Sequence, residues 1–159
     1  IISGLVKPSK GIVSHMQDID IGFIFQKPIL LKRTVKENLL HTLYAANKKL
    51  TYSKANEIID ENLIRFKLEK FKDKYVMKLS GGQQQMISIC RSVIIEPELL
   101  ICDEPNNNLD DLNKQFLYSF LEDYSKSKKV VIVSQDKDEI MRYCNSVYNV
   151  KDGVLNEVN

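Results

Sequence analysis

The chain reads as an α/β domain built around a parallel sheet, and three observations lead there. Leu99-Leu100-Ile101-Cys102 and Val130-Val131-Ile132-Val133 are continuous apolar runs, as strands covered on both faces are, whereas half-exposed strands alternate. Between them Leu112, Phe116, Leu117, Phe120, Leu121 and Tyr124 recur at helical spacing, and a strand–helix–strand unit of this kind closes as a right-handed crossover. Ahead of both runs, residues 35–77 carry helical patterns and no obvious strand, which predicts a helical segment inserted between strands.

The elements follow in order. Ile21-Gly22-Phe23-Ile24-Phe25 predicts a short buried strand ending at Gln26, broken by Lys27-Pro28. Thr34-Val35-Lys36-Glu37 is a capping-box pattern, so a helix is expected from Val35, with Val35, Leu39, Leu43 and Ala46 on one face. Ser53 is the expected cap of a second helix that turns Ala55, Ile58, Ile59, Leu63 and Phe66 inward. A third helix is expected near Gly82, its broad stripe made by Met86, Ile87, Ile89, Cys90, Val93 and Ile94, with Pro97 just past its end. A last helix holds Ile140 and Met141, and Asp152-Gly153 between two apolar segments predicts a closing hairpin.

Bulk properties exclude several classes of function. A chain of 159 residues with 43% hydrophobic and 28% charged residues can bury a core as one domain. The formal charge of +2 gives no reason to invoke nucleic acid. Cys90, Cys102 and Cys144 form no C-x-x-C pair, and only His15 and His41 could join them as ligands. Reduced, buried cysteine is therefore expected, not zinc. No apolar run approaches the ~20 residues that span a bilayer, and no signal peptide is visible. Any work at a membrane would need another chain to supply the membrane part.

One ordered set of motifs carries the functional reading. Leu79-Ser80-Gly81-Gly82-Gln83 precedes the run Leu99–Cys102, which ends in Asp103-Glu104-Pro105; Asn108-Leu109-Asp110 follows, and Val130–Val133 leads into Ser134. The set resembles the ATP-binding cassette (ABC) family, the nucleotide-driven subunits of ABC transporters, over nearly the whole chain. The resemblance implies a RecA-like P-loop NTPase core with an inserted helical subdomain: 1–34 core and Q-loop, 35–88 helical subdomain ending in the signature, 89–159 core with Walker B, D-loop and switch loop. The phosphate loop Gly-x-x-x-x-Gly-Lys-Ser/Thr does not occur in the sequence, and Ile1-Ile2-Ser3-Gly4-Leu5 is similar to the end of the helix that follows that loop. The expectation is a cassette cut just past Walker A, a poor ATPase by itself.

The residues supply a chemical reason for each implied role. Asp103 and Glu104 leave a buried strand, where ligands of open α/β sheets bind. By resemblance Asp103 holds Mg²⁺ and Glu104 polarises the attacking water; a hard cation and a departing proton both call for a carboxylate. Alone, the pair would read as an acidic turn. Ser80, Gly81, Gly82 and Gln83 open a helix, whose free N–H groups and positive dipole end suit a phosphate. In the family they act in trans, on the γ-phosphate of ATP held by a second subunit. Gly81 and Gly82 are therefore expected to be exposed and distant from Glu104. A plain Ser cap is compatible with that role.

Gln26 matches the Q-loop glutamine that senses Mg²⁺ and the γ-phosphate. Asp110 matches the D-loop aspartate at the dimer seam and also suits a helix cap. Asn106 and Asn107 stand where the family has Thr-Ser, and read as loop material. Gln135 stands where the family has a γ-phosphate histidine. An amide keeps a donor but cannot become a cation, so either the contact persists with less charge stabilisation or the site has drifted. Met86 replaces a common arginine.

The resemblance implies a transport-coupled ATPase with ATP and Mg²⁺ as cofactors. Its partners would be a second ABC ATPase subunit, in a homo- or heterodimer, and transmembrane permease subunits that hold it to the inner face of the cell membrane. Nucleic acid is not among the expected partners. Ile29-Leu30-Leu31-Lys32-Arg33-Thr34-Val35 resembles importers of the tungstate and related oxyanion type. Two readings stand beside this one: an incompetent or split cassette serving as a partner subunit, and a soluble non-transport ABC protein. The second kind carries two cassettes or a long coiled coil, and neither pattern is visible.

Overall fold

The computed structural model describes residues 6–12 and 19–158. The expectation placed on Ile1–Leu5 lies outside them. Strands β1 (Ile21–Ile24), β2 (Leu99–Asp103) and β3 (Lys129–Val133) form a parallel sheet in the order β1-β2-β3. Ile24 pairs with Cys102, and Cys102 with Ile132, so all three strands end level with one another. The helices are α1 (Val35–Ala46), α2 (Tyr52–Arg65), α3 (Gly81–Val93), α4 (Asp111–Ser125) and α5 (Lys137–Tyr143). β4 (Val147–Lys151) and β5 (Val154–Val158) pair antiparallel as the expected hairpin. Its turn places Asp152 at φ 52° and Gly153 at φ 77°, the left-handed pair that a two-residue turn requires.

Two of the helix starts are reciprocal capping boxes. Thr34 accepts from the Glu37 backbone N–H, and the Glu37 side chain accepts from Thr34. Those bonds to Thr34, backbone first, hold the Glu37 carboxyl below its usual range. Ser80 and Gln83 repeat the arrangement at α3. The expected cap of α2 is corrected: Thr51, not Ser53, accepts from the Lys54 N–H at 3.3 Å. Thr51 is the last residue with extended backbone (ψ 152°), as a cap needs, while Ser53 already lies in the first turn.

The inserted helices and the sheet share one core. Leu39, Ile59, Leu63 and Val76 are fully buried and join a continuous cluster with Ile87, Ile89, Leu100 and Leu117. Removing a side chain such as Leu39, Ile59 or Leu63 from water contributes ~1.5–3 kcal/mol. α3 packs on β1 and α4 on β3. Because α3 runs from Gly81 to Val93, it continues through the expected boundary at residue 88.

The expectation that both apolar runs are covered on both faces holds for β2, where Leu99, Leu100 and Cys102 are buried. It fails for β3, whose residues are half-buried or exposed. α4 covers one face of β3, and β2 is its only strand partner among the described residues. An apolar run records the capacity to be covered, not the presence of a covering layer.

Candidate active site

Three loops leave the carboxyl ends of the three strands on the same side of the sheet. Gln26 follows β1, Glu104 follows β2, and Ser134-Gln135 follow β3. Glu104 has φ 45°, a left-handed conformation uncommon in a residue with a side chain. Its surroundings hold it there. Its backbone N–H donates to the Val133 carbonyl at 2.8 Å, and its Oε1 accepts from the Gln135 backbone N–H at 2.8 Å. The Ser134 hydroxyl lies 3.4 Å from the other carboxylate oxygen. The exits of β2 and β3 are thus tied together through Glu104.

Gln26, Glu104 and Gln135 face one open cleft of about 400 Å³, shared with Asn106, Asn107 and Asn108. Lys114 of α4 brings a cation to its wall. Asp103 is exposed at the end of β2 and is not among the lining residues. Among the described residues no group of three or more His, Cys, Asp or Glu side chains is arranged to hold a metal ion. The exposed Asp103 carboxylate and Gln26 amide are hard oxygen donors. Such a sparse set fits a cation that keeps most of its waters and arrives with phosphates.

The signature residues divide. Ser80 caps α3, receiving the Gln83 N–H at 3.3 Å, while Gln83 Oε1 accepts from the Ser80 N–H at 3.1 Å. The Gln83 side chain is thereby engaged in the cap. Gly81 is exposed, as expected. Gly82 is not: it is half-buried, and a Cβ on it would come within 2.7 Å of the Asn108 carbonyl oxygen. The first turn of α3 therefore stands beside Asn108, four residues past Glu104. The glycine lets the loop after β2 lie against the helix start.

Asp110 caps α4, its Oδ1 accepting from both the backbone and the side-chain N–H of Asn113 at 2.9 Å. Asn106 is more than loop material, because its amide donates to Glu139 Oε2 of α5 at 2.6 Å. Tyr118 lies buried nearby, stacked on Tyr143, and burial first, then Glu139, pushes its phenol well up.

Sequence reasoning missed three polar side chains that shape the site. Asn38 is fully buried; its Oδ1 accepts from the Leu31 N–H and its Nδ2 donates to the Leu31 and Thr34 carbonyls. It fixes the segment that leads from Gln26 into α1. Arg91, on α3, donates to the Ile29 carbonyl at 2.6 Å and to the Thr42 hydroxyl at 2.9 Å, and partial burial lowers its pKa. Gln85, fully buried on α3, donates to the carbonyls of Phe25 and Pro105. The signal available was a polar stripe, Gln85, Ser88 and Ser92, running at helical spacing through an apolar face.

Comparison with known proteins bears on this geometry. The family model described as "ABC transporter" matches residues 1–107. The tungstate uptake system ATP-binding protein TupC of Peptoclostridium acidaminophilum is 31% identical, over 87% of this chain and 64% of its own length. The bacitracin export ATP-binding protein BceA of Halalkalibacterium halodurans is 35% identical, over 85% of this chain and 53% of its own. Among solved structures, cbiO1 from Clostridium perfringens, part of the ABC transporter complex cbiONQ, superposes with a TM-score of 0.79 at 29% identity. That match covers 97% of this chain and 67% of cbiO1. The chain thus spans between about half and two thirds of the length of these proteins. No helix among the described residues is long and apolar enough to cross a membrane. The match of the family model over residues 1–107, with the parallel sheet and the motifs at its strand exits, shows that the chain belongs to the ABC transporter family.

Proposed function

We propose that these residues form part of an ATP-hydrolysing subunit of an ABC importer, of the type that handles tungstate and related oxyanions. The observation that carries the reading is Glu104, held at the exit of the central parallel strand, bonded to the Gln135 backbone and facing one cleft with Gln26. In this proposal Glu104 accepts the proton of the attacking water, and the Gln135 amide donates to the γ-phosphate. Asp103 and Gln26 hold Mg²⁺, which neutralises phosphate charge when bound. The Gly81 and Gly82 N–H groups, at the α3 N-terminus behind the Ser80 cap, face ATP carried by a second cassette, with Asp110 at the seam. Permease subunits would hold the pair at the inner face of the membrane. The importer assignment rests on residues 29–35 and on the likeness to TupC.

A second reading has its own observation. Gln135 stands in the switch position, where a neutral amide cannot supply the charge of a histidine, which favours a partner that offers its signature face without hydrolysing ATP itself. Glu104→Gln separates the two. In the assembled transporter the first reading expects hydrolysis to slow at least ~100-fold with ATP binding retained. Unchanged hydrolysis would move catalysis to the other cassette.

A further inference from the structure

We propose that Gln85 is a positioning residue that sets the spacing between Gln26 and Glu104 and makes both answer to the start of α3. Its Nε2 donates to two backbone carbonyls, Phe25 at 3.2 Å and Pro105 at 3.1 Å, which lie 60 and 20 residues away along the chain. Phe25 immediately precedes Gln26, and Pro105 immediately follows Glu104. One nitrogen therefore joins the exits of β1 and β2 to the second turn of the helix that Ser80 and Gln83 cap.

The chemistry allows few other side chains here. Gln85 is fully buried, and both of its partners are acceptors, so the donor end of its amide must face them. Turning the amide over would set three oxygens against one another. The orientation leaves Oε1 buried without a partner, a cost the site carries because no apolar residue could satisfy two carbonyls at once. An ionised Glu offers only acceptors, and Asn is a carbon shorter. Because α3 is a single helix, a displacement of its first turn reaches both strand exits through this side chain.

The role of Glu104 rests on the function proposed above; the positioning role is tested without it. In hydrogen exchange on the 159-residue chain, Gln85→Leu should speed exchange about tenfold at residues 25–27 and 104–107 together, leaving α1 and α2 unchanged. Exchange unchanged at both segments, or raised equally throughout, would overturn the proposal. Should Gln85→Leu fail to fold, the wild-type side chain decides. The Gln85 amide protons should exchange at least ~100-fold more slowly than those of Gln83, and equal rates would overturn it. In the assembled transporter, Gln85→Met should lower kcat with KM unchanged. If the transporter hydrolyses no ATP at all, the proposed function fails while the exchange result still judges Gln85.

Discussion

Asn106 donates its side-chain amide to Glu139 at 2.6 Å across 33 residues of sequence. The bond joins the turn that follows Glu104 to the first turn of α5, whose cap, Asp136, receives the Glu139 backbone N–H at 3.1 Å. A hydrogen bond to a carboxylate contributes ~1.5–3 kcal/mol. A double-mutant cycle of Asn106→Ala and Glu139→Ala, read by urea unfolding, should show a coupling of at least ~1 kcal/mol. Additive losses would mean that the two loops are held by other contacts.

The two glycines of the signature should respond differently to alanine. At Gly81 the nearest atom to a new Cβ is 3.8 Å away, so the methyl fits, and the better helix former should leave stability unchanged or raise it by up to ~1 kcal/mol. At Gly82 the Cβ would meet the Asn108 carbonyl oxygen at 2.7 Å. That loop must shift, at ~1–3 kcal/mol. Equal unfolding midpoints for the two variants would show that Asn108 does not rest on α3.

Substitution at the switch position has a direction. Gln135 contributes its backbone N–H to Glu104, which any non-proline residue retains. Gln135→His should therefore fold as the parent does and, in the assembled transporter, raise ATP turnover below pH ~6.5, where imidazole carries charge. Turnover that ignores both substitution and pH would place Gln135 outside the reacting centre.

The cysteines make a pH prediction. Burial pushes the Cys90 thiol up to about 12, against ~8.5 in an unfolded chain. Between those values the unfolded chain releases a proton that the folded one keeps, so stability should fall as pH rises from about 8.5. Cys90→Ala should flatten that fall, which denaturant midpoints at neutral and alkaline pH will show. Iodoacetamide should modify half-buried Cys144 before Cys90 or Cys102, which are buried. Equal labelling of all three would refute this order.

Local chemistry made much of the framework readable in advance. Thr34 and Glu37 both complete the box their spacing suggested, and Asp152-Gly153 turns the hairpin they mark. The convergence of Glu104 with Gln135 followed from two apolar runs that end in polar residues, since parallel strands discharge their loops on one side. Hidden from the sequence were the partners of Asn38 and Gln85, which are backbone N–H and carbonyl groups. A backbone group has no identity in a sequence, so no pairing of residue types announces the contact. Ser53 has the residue type of a cap, but the extended backbone falls at Thr51, and conformation decides where the helix starts. The position of Gly82 under Asn108 depends on how a loop folds back, which spacing does not encode.

The partial cover of β3 has a practical consequence for anyone handling this polypeptide. Val133 is 53% exposed, and in the hairpin Val150 and Leu155 are 66% and 64% exposed. Surfaces of this kind bind fluorescent hydrophobic dyes while the molecule is still folded, and the edge of β3 that is unpaired among the described residues invites chain-to-chain pairing. A thermal-shift assay on the 159 residues should start from a high baseline, and its scattering should rise with concentration. Purification should therefore rely on dilute samples and mild detergent, and a dye-based melting curve should be checked by circular dichroism before any midpoint is trusted.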